Sequence, residues 1–248
     1  MTATRSPAAI TAVTVDLDDT LYPHAEFLAG AWRSLAGVAV ASGLDEDTAE
    51  VLRLALTQVA REGSDRGRIV DRALHRCGLP GALASALTAE LSSYRPIVLA
   101  LHPGVEDALS RLRERFPVAI VTDGDPGRQR AKIKALGLDR KVDTVLVADE
   151  LGGPQHRKPS PTALLAALDR FGVGPEAAVH VGDRPRRDTA AAIAAGMRAI
   201  RVRTGEYADQ PDDPLPWLSC ADFPGAVAAL LAAAPEADLP VTLSISYR

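Results

Sequence analysis

Five short apolar runs constrain the fold of this chain more than any other feature. They lie near residues 12–17, 117–122, 142–147, 177–182 and 198–203 and are rich in β-branched residues. Such runs read as parallel strands buried on both faces of a sheet. Patterns of helical period separate them. Val105, Leu109 and Leu112 stand at i, i+4 and i+7. Asp125-Pro126 reads as an N-cap followed by proline at the first helical position, with Gly137 as the stop. Ser160-Pro161 repeats the start signal before Leu164, Leu165 and Leu168, and Gly196 ends a helix that begins near Arg187. Strand alternating with helix predicts an α/β fold with a Rossmann-like, doubly wound parallel sheet.

One interval breaks the alternation. About a hundred residues separate Thr20 from Thr122, far more than one crossover needs. Within it the apolar residues recur at helical spacing: Leu28, Trp32, Leu35; Val51, Leu52, Ala55, Leu56, Val59; Ile69, Ala73, Leu74. Gly43 and Gly78-Leu79-Pro80-Gly81 punctuate them. The expectation is an inserted α-helical domain of about four helices over residues 23–95. The core then comprises 12–22 and 96–235, and residues 1–11 form a flexible tail. Hinges would fall near Leu21–Pro23 and Tyr94–Pro96. Pro224 to Ala234 reads as a helix. In the segment 236–248, Val241 to Tyr247 alternates strictly and suggests an edge strand.

Composition narrows the partners. Of 248 residues, 47% are hydrophobic and 24% charged, and the net charge is −4, so no basic field awaits nucleic acid. An acidic chain that handles an anion must create positive charge locally. Cys77 and Cys220 lack CxxC spacing, no apolar stretch is long enough to span a membrane, and Met1 to Thr11 carries no apolar leader core. These features imply a cytoplasmic protein without membrane partners, acting as a monomer or homodimer.

The strand ends carry the chemistry. The first run closes as Asp16-Leu17-Asp18-Asp19-Thr20, the second as Thr122-Asp123-Gly124, and the fourth as Gly182-Asp183-Arg184-Pro185-Arg186-Arg187-Asp188. Lys158 stands between them in Arg157-Lys158-Pro159. Carboxylates, a hydroxyl and an ammonium at strand ends suit magnesium-dependent phosphoryl transfer. The combination resembles the haloacid dehalogenase-like (HAD) hydrolase superfamily over roughly residues 12–205, and the insertion resembles its helical-cap class. Thr122-Asp123-Gly124 followed by Gln129, Lys132, Leu136, Gly137 and Leu138 is more weakly similar to the branch of nucleotidases and N-acylneuraminate-9-phosphatases.

The resemblance implies roles residue by residue. Asp16 would be the nucleophile that forms an aspartyl-phosphate. Asp18 would protonate the leaving oxygen and later take a proton from water, which requires the two carboxyls to titrate apart. Asp16, Asp183 and the backbone carbonyl of Asp18 would hold Mg²⁺, with Asp188 anchoring Lys158 or a metal-bound water. Thr122, Asp123, Gly124 and Lys158 would bind the phosphate. Substrate choice would lie in the cap and its hinges, with His24, Arg33 and Arg66 as the leading candidates and Glu26, Arg61 and Arg68 beside them.

The implied activity is a magnesium-dependent phosphatase acting on a small phosphorylated metabolite, such as a nucleoside monophosphate or sugar phosphate. A phosphomutase and a non-catalytic regulatory or binding protein are the alternatives. Asp18 disfavours dehalogenation, because halide leaves without a proton. The absence of lysine from residues 24–95 disfavours a phosphonate hydrolase that would use a Schiff-base lysine there. Asp123 and Arg184 depart from the family's usual asparagine and small polar residue.

Overall fold

The structure is a computed structural model that describes residues 9–63 and 66–233. Six parallel strands form one sheet in the order β3-β2-β1-β4-β5-β6. They are β1 (Ala12–Val15), β2 (Val118–Thr122), β3 (Thr144–Val147), β4 (Ala178–Gly182), β5 (Arg198–Val202) and β6 (Leu218–Cys220). The first five match the five apolar runs. The sixth was not foreseen, because three residues that pair with β5 at the sheet edge and stay partly exposed make no apolar run.

Helices cover both faces, and the faces differ in kind. Side chains alternate across a strand. Val13, Val15, Val118, Ile120, Val179, Val181, Ile200 and Val202 point one way, onto α5 (Val105–Arg113) and α9 (Phe223–Ala233). Ala12, Ala119, Ala178 and Ala199 point the other way, onto α7 (Thr162–Phe171) and α8 (Ala190–Ala195), which answer with alanines of their own. One face is built of branched side chains, and the other is richer in small ones, with Val121 and Leu146 among the alanines. Three helix signals hold: the Asp125 side chain accepts from Arg128 N at 2.8 Å to start α6 (Pro126–Ala135), and Gly137 and Gly196 follow α6 and α8 at positive φ. At Ser160-Pro161, by contrast, the proline itself stands at the cap position and α7 starts at Thr162. Pro185–Thr189 forms a π-helical turn before α8, a widening common at functional sites.

Between β1 and β2 lie α1 (His24–Ala41), α2 (Glu46–Arg61), α3 (Ile69–Arg76) and α4 (Ala84–Ser93). They share an apolar cluster of their own that includes Trp32, Leu35, Leu52, Leu56, Val59, Leu74 and Leu87. Val51, read as part of that stripe, is 53% exposed: the buried face of α2 runs through Ala49, Leu52, Ala55, Leu56 and Val59. No helix among the described residues is long and apolar enough to cross a membrane. Val241 to Tyr247, with the rest of 236–248, and residues 1–8 lie outside the described residues.

Candidate active site

Strand order places the reactive groups. In open parallel sheets a crevice forms beyond the carboxyl ends where the winding reverses; here that point lies between β1 and β4, the neighbours that carry Asp16 and Asp183. Thr122 ends β2 on the other side of β1. The cleft has a volume of about 350 Å³ and is lined by Asp16, Asp18, Thr122, Asp123, Gly124, Lys158 and Asp188, with His24, Gly67, Arg157, Arg184 and Arg187.

Lys158 is the hub. Its buried ammonium donates to Asp16, to Asp188 Oδ1 at 2.6 Å and to Val121 O at 3.2 Å. Asp188 is saturated: Oδ2 accepts from Arg184 N at 2.9 Å, and His180 Nε2 lies 3.2 Å from Oδ1. A carboxylate only accepts, so Nε2 carries the hydrogen, leaving Nδ1 to accept from Thr14 Oγ1 at 2.9 Å. Asp183 is not saturated. Thr20 Oγ1 donates to its Oδ1 at 3.4 Å, but Oδ2 is buried without a hydrogen-bond partner.

The turn after β1 carries a feature invisible in the motif. Asp19 adopts φ 60°, a left-handed conformation uncommon for a side-chain-bearing residue. Its carboxylate accepts from His24 N at 2.9 Å and Glu206 N at 3.3 Å, and Thr204 Oγ1 donates to its carbonyl. Those bonds over-determine the turn that presents Asp18.

Electrostatics split the carboxylates. Burial pushes Asp16 up to about 7, against the pull of Lys158. Burial, then repulsion from Asp188 and Asp16, drives Asp183 far above the carboxylate range. Burial also works on Asp18 and Asp188, but Lys132 holds the first and Lys158 the second well below it. His24 is pushed down to about 3 by burial, despite attraction from Asp18. Without a cation, then, Asp16 tends to hold a proton and Asp18 does not, the reverse of the pairing expected of nucleophile and acid.

Oxygen atoms of Asp16, Asp183 and Asp188 lie within 4.8 Å of one another, close enough to share an ion. Three buried carboxylates, one with an oxygen that accepts no hydrogen bond and meets only the Arg184 guanidinium at 3.9 Å, suit a hard divalent cation with oxygen ligands. The cap candidates fare unequally. His24 lines the cleft. Arg33 and Arg66 do not: both are exposed, and Arg66 folds back against Gly63, leaving neighbouring Gly67 to line the cleft through its backbone. Gln129 and Lys132, named in the sequence only as part of the branch motif and given no place in the site, are buried and bonded to Asp18. Sequence reading missed Tyr22, whose hydroxyl donates to the same carboxylate.

A family profile for haloacid dehalogenase-like hydrolases matches residues 10–196. The chain belongs to that family. Within it, the chain is 36% identical to a glyceraldehyde 3-phosphate phosphatase of Methanopyrus kandleri over 216 residues, covering 84% of this chain and 91% of that one. It is also 36% identical to a phosphoserine phosphatase of Thermus thermophilus over 159 residues, 61% of this chain and 59% of that one. Among solved structures, a 2-haloacid dehalogenase of Pseudomonas syringae superposes with a TM-score of 0.58 at 30% identity, covering 90% of this chain and 99% of that one.

Proposed function

We propose that this HAD hydrolase is a magnesium-dependent phosphatase that hydrolyses a small phosphate monoester. One observation carries the reading: Asp16, Asp183 and Lys158 converge in one buried cluster while Asp18 and Thr122 line the same cleft. The relatives named as phosphatases of small phosphate esters support it.

Asp16 and Asp183 would hold Mg²⁺ together with the backbone carbonyl of Asp18, Asp183 through Oδ2, which accepts no hydrogen bond. Bound there, the ion offsets the charge of the carboxylates and of the phosphoryl group. Asp16 would attack phosphorus as the bond to the leaving oxygen breaks; Asp18, ionised at rest, would first take a proton from solvent through its open side and then pass it to that oxygen. Water then attacks the aspartyl-phosphate with Asp18 as base. Lys158 orients Asp16 and, together with a bound cation, would keep it ionised, while Asp188, itself fixed by His180 and Arg184 N, keeps Lys158 in place. Thr122 and the backbone of Asp123 and Gly124 receive the phosphate oxygens, with Gly124 at φ 118° allowing close approach.

Residues 23–95 act as a cap over this cleft, where His24 and Gly67 face the substrate. Cys77 and Cys220 are free thiols, in keeping with a cytoplasmic setting. The dehalogenase relative suggests a second chemistry, but halide departs without a proton and would leave Asp18 and its donors without a task. The test is a panel of phosphorylated metabolites and p-nitrophenyl phosphate, assayed with Mg²⁺ and with EDTA. Phosphate release that needs the metal is expected. Full activity in EDTA, or halide release from 2-haloacids without phosphatase activity, would overturn the reading.

A further inference from the structure

Two side chains of α6 grip Asp18, and neither has a part in the chemistry above. Gln129 and Lys132 are three residues apart and leave the helix on one face. Both are buried, at 2% and 3% exposure. Lys132 Nζ donates to both oxygens of Asp18, at 2.7 and 2.9 Å. Gln129 Nε2 donates to Asp18 Oδ2 at 3.1 Å and to Thr122 Oγ1 at 2.5 Å, bridging the ends of β1 and β2. On its far side the Lys132 ammonium lies 4.3 Å from the ring centroid of Phe27 in α1.

Packing gives no reason for these residues. Ile133 and Leu136, on the same side of α6, already fill the core. An ammonium placed between a carboxylate and an aromatic ring surrenders its hydration, and only the carboxylate returns a full charge. The Asp18 side chain meanwhile keeps 21% of its surface open. Its two torsions would let it turn in that opening, yet Lys132 and Gln129 from one helix face hold both oxygens, and the Tyr22 hydroxyl adds a further donor to Oδ1.

We propose that Gln129 and Lys132 are positioning residues that fix the orientation of Asp18 and its spacing from Thr122, with Phe27 tying this clamp to the first helix of the insertion. The inference rests on the phosphatase reading, since it assigns the clamp to the group that moves the proton. Gln129 is the spacer, because one amide touches both the acid and the phosphate-binding hydroxyl. Lys132 is the lock, because it holds both oxygens at once. Proton transfer to a leaving oxygen tolerates little misplacement: an error of about 1 Å can cost on the order of 100-fold.

The experiment measures kcat and KM of Lys132→Met and Gln129→Leu, with Mg²⁺ present, on phosphate monoesters of graded leaving-group acidity. For alkyl phosphates kcat should fall about 10- to 100-fold while KM moves by less than about 3-fold. For p-nitrophenyl phosphate, whose leaving group needs little protonation, kcat of Lys132→Met should fall by less than about 3-fold. Lys132→Arg should recover part of the loss. In an Asp18→Asn background, adding Lys132→Met should cost nothing further, because the clamp then has no acid to aim. Equal losses across leaving groups for Lys132→Met, or an undiminished loss in the Asp18→Asn background, would show a merely structural role. Should Lys132→Met not fold, Lys132→Gln carries the same comparisons, because Gln129→Leu also releases Thr122 and so acts on every leaving group. A wild-type protein inactive on every monoester would sink the phosphatase reading and the clamp together, whereas an active wild type with additive losses would sink the clamp alone.

Discussion

Asp16 is 7% exposed and ion-paired with Lys158. Asp16→Asn keeps the shape and removes the nucleophile, so turnover should fall on the order of 10⁴-fold or more while the circular dichroism spectrum stays unchanged. Near-wild-type phosphate release from a purified variant would remove Asp16 from its role. The same residue gives a pH prediction. Burial pushes Asp16 up to about 7 and Asp183 well above its ordinary range. Groups raised in the folded state bind more protons there than in the unfolded chain. Their stabilisation is complete below the ordinary carboxylate pKa and is lost as pH rises through the folded value. A divalent cation replaces those protons. The gain in Tm from Mg²⁺ over EDTA should therefore be larger near pH 8 than near pH 5. Asp18 and Asp188 shift the other way, held low against burial by Lys132 and Lys158, and are ionised at both pH values, so they add little to the difference. A gain that shrinks as pH rises would contradict this assignment.

At the scale of elements, α6 is the informative case. Its start was legible in Asp125-Pro126, and the cap bond to Arg128 N bears that out. Asp125→Ala should cost about 1 kcal/mol in urea denaturation. It should also lower kcat, since the first two turns carry Gln129 and Lys132. A stability loss with unchanged kcat would show that the clamp survives fraying of the helix start. The face carrying those two residues was harder to read. Arg128, Arg130, Lys132 and Lys134 make α6 look solvated. The available signal was positional: Gln129 and Lys132 share a stripe with Ile133 and Leu136, where polar residues need a partner. That partner, Asp18, lies more than a hundred residues away in sequence, so no local pattern could reveal it. Arg33 and Arg66 failed for the opposite reason. Charge marked them as candidates, but their positions on α1 and in the α2–α3 connection face solvent.

For the whole molecule, the division of labour between sheet and insertion predicts a split in specificity. Replacing residues 24–93 by a short linker should raise KM for the phosphorylated metabolite far more than for p-nitrophenyl phosphate, because the sheet holds the reacting groups and the insertion supplies His24 and Gly67. Equal effects on both substrates would show that the helices do not select. The sheet was legible because buried strands leave continuous apolar runs and the acids interrupt them at their ends. β6 was not, because an edge strand with alternating exposure leaves no such run. The reversal of expected charge between Asp16 and Asp18 was equally hidden, since it depends on burial and on Lys132.

The unequal faces of the sheet bear on how the chain can vary. Lys158 lies in the loop that leads into α7, and Asp188 in the π-helical turn that leads into α8. Both helices rest on alanines: Ala12, Ala119, Ala178 and Ala199 below, Ala163, Ala167, Ala191, Ala192 and Ala195 above. A larger side chain among these buried alanines would press on α7 or α8, and with it on one end of the Lys158–Asp188 ion pair. On the opposite face, valine and isoleucine can exchange with far less displacement, because α5 and α9 carry none of the cleft's side chains. In a mutational scan the two sides of one strand would thus diverge. Growth at Ala119 or Ala178 would show first as lost turnover, whereas growth at Val118 or Val179 would show first as lost stability.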